Sequence, residues 1–210
     1  MFTGIITDIG TIERVDDAGD IRIVVRTGFD TTTLDLGASV ACSGVCLTVI
    51  DKGHDAGGDW FAADVSHETI SRSAQDQWSA GRSLNLERAM KLGDELGGHI
   101  VTGHVDGFGE VVGVCAEGDS KRIDISVSDV LAPFLAAKGS VTVDGVSLTV
   151  NQVTDHGSGA HFCVNIIPHT QSVTTLGALQ QGQAVNIEID VLARYLARME
   201  QQRQWVAARE

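Results

Sequence analysis

Proton transfer and attack on carbon need side chains such as histidine, cysteine, serine and aspartate, and four of these stand out by position. Cys46 and Ser147 hold the same place in two versions of one segment, Gly44-Val45-Cys46-Leu47-Thr48-Val49 and Gly145-Val146-Ser147-Leu148-Thr149-Val150. His104 follows Thr102-Gly103, where the earlier Thr3-Gly4 is followed by Ile5. Asp190 ends the run Asn186-Ile187-Glu188-Ile189-Asp190, where the earlier Asn85-Leu86-Glu87 run leads to Ala89. A histidine titrates near neutral pH and suits general acid–base work, although one beside a strand also serves as a plain structural residue. Asp190 can orient a base or cap a following helix. Lys138 can snorkel at a helix end or meet an acceptor on a ligand. His99 and His104 lack a third ligand at metal-like spacing, so no zinc site is expected. Phosphate loop, dinucleotide fingerprint and nucleophile elbow are all missing, which removes the required parts of ATP, NAD and serine-hydrolase chemistry.

The elements that hold these residues come from a duplication. At a shift of 99, Phe2-Thr3-Gly4 falls on Val101-Thr102-Gly103 and Gly10 on Gly109. At a shift of 101, Ser39 to Val49 falls on Ser140 to Val150 with seven of eleven positions identical. The same shift brings Phe61 onto Phe162, Thr69 onto Thr170, Gly81 onto Gly182 and Asn85-Leu86-Glu87 onto Asn186-Ile187-Glu188. Two similar domains in tandem follow, spanning 1–97 and 98–190, with a glycine hinge expected near Glu95-Leu96-Gly97-Gly98.

Each copy reads as β. Ile21 to Val25, Val40 to Ile50, Trp60 to Val65, Ile123 to Val127 and Val185 to Val191 are short and rich in β-branched residues, with turn formers between them. About six strands per copy imply a small closed barrel, since closure removes exposed edges. Short helices are expected at Thr69 to Gln75 and at Val130 to Lys138, the second capped by Asp129. Strand parity turns Val45, Leu47 and Val49 to one face and Cys46 and Thr48 to the other, and likewise Ser147 and Thr149 in the second copy. That polar pair is either a solvated outer face or one half of a two-part site. Residues 191–210 have no counterpart in the first copy. Their stripe of Val191, Leu192, Tyr195, Leu196 and Met199 predicts an amphipathic helix, suited to burial on a barrel or against sister chains.

The chain's 210 residues are 43% hydrophobic, enough for packed cores, and carry a net charge of -13. Such a surface repels phosphate backbones and anionic lipid, which argues against nucleic-acid and membrane partners. No apolar run is long enough for a spanning helix, and Met1 to Asp8 lacks the basic region and cleavage pattern of a signal peptide. The chain is therefore expected in a reducing cytoplasm, with Cys42, Cys46, Cys115 and Cys163 unbridged.

Taken together, Met1-Phe2-Thr3-Gly4-Ile5, the two Gly-Val-(Cys/Ser)-Leu-Thr-Val segments, Gly97-Gly98-His99, Gly103-His104-Val105 and Asn186 to Asp190 resemble the riboflavin synthase family (α-chain type) from Met1 to about residue 200. The resemblance implies two six-stranded Greek-key barrels, an all-β fold with short helices and a C-terminal α-helix, assembled as a homotrimer. It implies dismutation of two 6,7-dimethyl-8-ribityllumazine molecules into riboflavin and 5-amino-6-(ribitylamino)uracil, with no metal or redox cofactor. The alternative is a lumazine- or flavin-binding carrier of the same architecture. The sequence carries nothing for or against association with lumazine synthase. The implied ligand contacts are, in the first barrel, Gly4, Ile5, Ile6, Cys46, Leu47, Thr48, Asp64, Val65, Ser66, His67, Glu68 and Thr69. In the second they are Gly103, His104, Val105, Lys138, Ser147, Leu148, Thr149, Asn165, Ile166, Ile167, Pro168, His169 and Thr170. Ser66-His67 and Pro168-His169 depart from residues often carried by other members. The catalytic assignment is His104 for proton transfer, Ser147 and Cys46 as polar or nucleophilic helpers, and Asp190 to orient them, across an interface between unlike barrels of neighbouring chains.

Overall fold

The computed structural model of the chain describes residues 1–18, 20–74 and 76–209. The first copy forms β1 (Asp8–Ala18), β2 (Asp20–Arg26), β3 (Ser39–Cys42), β4 (Val45–Asp55), β5 (Gly58–Val65), α1 (His67–Arg72) and β6 (Ser83–Arg88). The second forms β7 (Gly107–Glu117), β8 (Ser120–Ser128), β9 (Ser140–Val143), β10 (Val146–His156), β11 (Gly159–Ile166), α2 (Pro168–Val173) and β12 (Ala184–Ile189), followed by α3 (Val191–Ala207). The strands close into two antiparallel barrels of matching order, β1-β2-β5-β4-β3-β6 and β7-β8-β11-β10-β9-β12.

Alternation fills each barrel. Val45, Leu47 and Val49 point into the first core, and Val146 and Val150 into the second, while Cys46 and Ser147 are only half-buried on the outer face. Bulges fall at matched places, Ile12/Arg14 with Val111/Gly113 and Val49/Asp51 with Val150/Gln152, where the extra residue lets a long strand bend into closure.

Several boundaries differ from those read in the sequence. Val40 to Ile50 is not one strand but a hairpin: Ser43-Gly44, like Asp144-Gly145, takes positive φ at both residues and turns the chain in two residues. The helix expected from Thr69 starts earlier, because the Ser66 hydroxyl accepts from Thr69 N at 3.2 Å and caps it. It ends at Arg72, and Gln75 lies outside the described residues. Val130 to Lys138 forms only a 3-10 turn at Ala132–Phe134, without a cap from Asp129. Lys138 at φ 69° ends any helix there and returns the chain to β9. Val185 to Val191 stops as a strand at Ile189, because Asp190 caps α3 through Leu192 N at 2.9 Å. The four cysteines are free.

The barrels meet around a pseudo-two-fold axis. Phe2 and Val101 exchange backbone hydrogen bonds of 2.7 and 3.1 Å there. Asn85 Nδ2 donates to the Asp144 carbonyl, and Asn186 Nδ2 to the Ser43 carbonyl, each at 2.8 Å. Their side-chain oxygens accept from Thr175 N at 2.8 Å and Ala74 N at 2.6 Å. These buried amides join one barrel's turn to the other, which explains why asparagine recurs at that register.

Candidate active site

Each barrel is preceded by a loop that its own last strand holds in place. In the first, Glu87 accepts from Thr3 N and Thr3 Oγ1, both at 2.7 Å, and from Gly4 N at 2.9 Å. In the second, Glu188 accepts from Thr102 N and Oγ1, both at 2.7 Å, Gly103 N at 2.9 Å and His104 N at 3.1 Å. Burial pushes the Glu87 carboxyl up, and the Thr3 and Gly4 donors oppose that rise.

The loops cross over. Ser147 N donates to the Gly4 carbonyl, and Cys46 N to the Gly103 carbonyl, each at 2.8 Å. Gly4 and Gly103 have φ of 76° and 79°, and a Cβ there would lie 2.6 Å from Ser147 Cβ and 2.5 Å from Cys46 Cβ. Only glycine allows both the conformation and the approach. Ile6 packs on the core of the second barrel and Val105 on that of the first. The contact segments, grouped by barrel in the sequence, are thus paired crosswise in space: Cys46 stands with Gly103-His104-Val105, and Ser147 with Gly4.

The first half-site is a cavity of about 400 Å³ lined by Val45, Cys46, Glu68, Thr69, Arg72, Gly103, His104, Val105 and Asp106. His104 is exposed in it, and Glu68 pairs with Arg72 at 2.9 Å. Ser66 and His67 are exposed at the start of α1 and Thr48 on β4, whereas Leu47 and Val65 belong to the core. Asp64 is bound by Arg22 at 2.8 Å.

At the second half-site, Ser147 carries a partner absent from the first. His99 Nδ1 shares a hydrogen bond of 2.7 Å with Ser147 Oγ, and its Nε2 shares one of 3.2 Å with Thr142 Oγ1. Burial pushes the His99 pKa down, against the pull of the Asp190 and Glu188 charges, and favours a neutral ring. Gly98 lies so close to the Thr3 carbonyl and to Ser147 that a Cβ there would be 2.8 Å from Ser147 Oγ, so it serves close packing rather than the expected hinge. Thr149, Ile167, Pro168 and His169 are exposed nearby in sequence, Leu148 and Thr170 are half-buried, and Ile166 is core. Asn165 accepts from Asn151 at 3.1 Å and donates to Glu117. Lys138 N donates to the Val150 carbonyl at 2.7 Å with its side chain exposed. Ile5 lines a cavity of about 750 Å³ with Thr7, Phe29, Leu34, Arg88 and Met90.

One sequence assignment takes a definite place, and one contact at Ser147 lies outside the assigned set. The Asp190 carboxylate is engaged as a helix cap and reaches His99 through its charge. His99, passed over as a failed zinc ligand, is the group in contact with Ser147. The only signal for it was the Gly97-Gly98-His99 block, since Thr142 and Ser147 are remote from it in sequence.

Residues 3–89 and 102–190 each match the lumazine binding domain family. The riboflavin synthase of Brucella abortus (strain 2308) is 49% identical over 205 residues, covering 96% of this chain and 98% of that protein. The riboflavin synthase of Photobacterium phosphoreum is 43% identical over 201 residues, covering 95% of this chain and 88% of that one. The chain belongs to the riboflavin synthase family. The crystal structure of LumP complexed with riboflavin superposes with a TM-score of 0.76 at 25% identity, over 90% of this chain and 99% of that one. The same fold recurs in LumP complexed with 6,7-dimethyl-8-(1'-D-ribityl) lumazine, at a TM-score of 0.75 and 24% identity. Within this family, the repeated Thr-Gly loops and Asn-x-Glu runs build two matching loop–strand frames in one chain.

Proposed function

We propose that this chain dismutates two molecules of 6,7-dimethyl-8-ribityllumazine. One substrate gives a four-carbon unit and leaves as 5-amino-6-(ribitylamino)uracil. The other receives it and becomes riboflavin. Donor and acceptor are the same compound, so electrons balance between them and the scheme calls for no redox cofactor. The observation that carries this reading is the pair of related but unlike half-sites, each completed by the opposite barrel.

The reaction needs a proton taken from the C7 methyl of one ring, a nucleophile at C7 of the other, and two flat rings held in register. Holding two reactants in line lowers a barrier by as much as roughly 7–11 kcal/mol, against about 10²–10⁴-fold for one acid–base group. Positioning therefore dominates. His104, exposed in the cavity with Cys46, is the proton-transfer group. Ser147, hydrogen-bonded to His99, and Cys46 are polar or nucleophilic helpers, and Asp190 helps to orient this set through its charge. The exposed and half-buried members of the implied contact segments frame the rings and ribityl chains, and Leu47, Val65 and Ile166 support them from the barrel cores.

The functional units are then 1–97, 98–190 and an assembly helix in 191–210. Along α3, Leu192, Tyr195, Leu196 and Met199 are more than half exposed, a face suited to sister helices in a homotrimer. Assembly would bring the first half-site of one chain against the second of its neighbour, and the cavity holding Cys46 and His104 does not include Ser147. We place the protein in the cytoplasm. Among the described residues no helix is long and apolar enough to cross a membrane.

Purified protein given the lumazine alone should form riboflavin and the uracil in equal amounts, unaffected by EDTA. Tight binding without turnover would make it a carrier. Removing residues 191–210 should yield smaller particles with lower activity, partly recovered at high protein concentration. A truncated chain that stays trimeric would remove the assembly role of α3.

A further inference from the structure

The loop carrying His104 is strapped to β12 at both ends. Glu188 holds Thr102, Gly103 and His104 at one end, and Asp106 N donates to the Ile187 carbonyl at 2.9 Å at the other. The Asp106 carboxylate then reaches further. Its Oδ2 accepts from Ile189 N at 2.9 Å, and its two oxygens take Arg194 in a fork, Nη1 to Oδ1 at 2.6 Å and Nη2 to Oδ2 at 2.9 Å. Arg194 stands in the first turn of α3, and Asp106 lines the cavity that also holds Cys46 and His104. A forked arginine–carboxylate pair fixes direction as well as distance.

Among the described residues the first copy has no such device. Thr7 occupies the matched position, its hydroxyl donates at 3.4 Å to the Leu86 carbonyl, and residues 90–98 carry no helix. The ion pair is thus a feature of the copy that bears histidine in the loop. The Arg194 side chain is 40% exposed, so solvent screens the pair's charge, and the consequence that matters here lies in its forked geometry.

We propose that Arg194 is a positioning residue for His104, acting through Asp106, so that the base of α3 and the proton-transfer loop move as one unit. The proposal rests on the proton-transfer reading of His104. Displacing a reacting group by about an ångström costs up to ~10²-fold in rate. Arg194→Gln should therefore lower kcat on the order of tenfold, with lumazine KM and particle mass unchanged. Arg194→Lys, which keeps the charge near Asp106, should restore most of the rate. Asp106→Asn, which keeps an acceptor for Ile189 N, should repeat the Arg194→Gln loss if that variant folds poorly.

The decisive arm is a double variant. In a His104→Ala background, Arg194→Gln should add little further loss. Equal losses in both backgrounds would overturn the proposal, as would wild-type kcat in Arg194→Gln. So would a loss that follows particle mass and recovers at high protein concentration. Wild-type turnover in His104→Ala alone would instead sink the proton-transfer reading on which the proposal stands.

Discussion

The two barrels share strand order, matched bulges, the glutamate that holds the preceding loop, and the glycine laid against a small polar residue. They part at a few side chains on that common frame. Beside Ser147 stands His99, with Thr142 beyond it; beside Cys46 the matching strand position is Ala41, and the exposed histidine belongs to the incoming loop. At the turn between the paired strands, Ser43 in one copy becomes buried Asp144 in the other. Duplication supplies two frames that can hold the same kind of ring. In the proposed reaction between two identical molecules, divergence at a handful of positions would let one ring be treated differently from the other.

The largest separation between the halves should come from His104, which faces Ile5 in the duplication. His104→Ala should lower turnover by about 10²–10⁴-fold while leaving riboflavin affinity nearly unchanged, read by steady-state kinetics and by quenching of flavin fluorescence. Parallel loss of binding and turnover would make binding alone, rather than proton transfer, its role.

Next in size is a difference in stability. Burial holds the Asp144 carboxyl up at about 7, against the Asn186 N–H and the Arg82 charge, whereas Ser43 cannot ionise. For a carboxyl raised on folding, the stabilisation is complete below the unfolded value and is lost as pH climbs through the folded one. Moving a carboxyl from 3.8 to about 7 corresponds to on the order of 4 kcal/mol at most. Thermal stability should therefore fall between about pH 4 and about pH 7, and Asp144→Asn, which keeps an acceptor for Asn186 N, should flatten that slope. An unchanged slope would show that the carboxyl is not the group responsible.

The smallest effect should fall on the matched pair itself. Ser147→Ala removes the hydroxyl bonded to His99 and should lower kcat by roughly tenfold, within the range of one acid–base helper or less. Cys46→Ser, which gives the first half-site the residue of the second, should stay within about threefold of wild type, since a hydroxyl can serve there as the polar helper as it does at Ser147. A larger loss in Cys46→Ser would mean that the thiol takes part in bond making.

The frame was legible in the sequence because each copy repeats its turn residues and strand parity at one register. Glu87 and Glu188 were visible as repeated residues, but not as loop holders, since their partners lie more than eighty residues away. The exchange of loops left no local trace: Gly4 matches Gly103 in the duplication, so each is read with its own barrel, and only packing about the pseudo-two-fold axis reverses the assignment. The short helices were misplaced for local reasons, a serine cap at Ser66 and a left-handed Lys138, that apolar spacing does not reveal.

The central claim is that catalysis needs two unlike half-sites brought together from different chains, and subunit mixing tests it most directly. His104→Ala chains, impaired in the first half-site, and Ser147→Ala chains, impaired in the second, would be dissociated, mixed in equal amounts and reassembled. Some interfaces in the mixture then join an intact first half-site to an intact second. Turnover clearly above the average of the two separately reassembled parents is the expected result. A mixture no more active than that average would contradict it, and would place both halves of the reaction within a single chain.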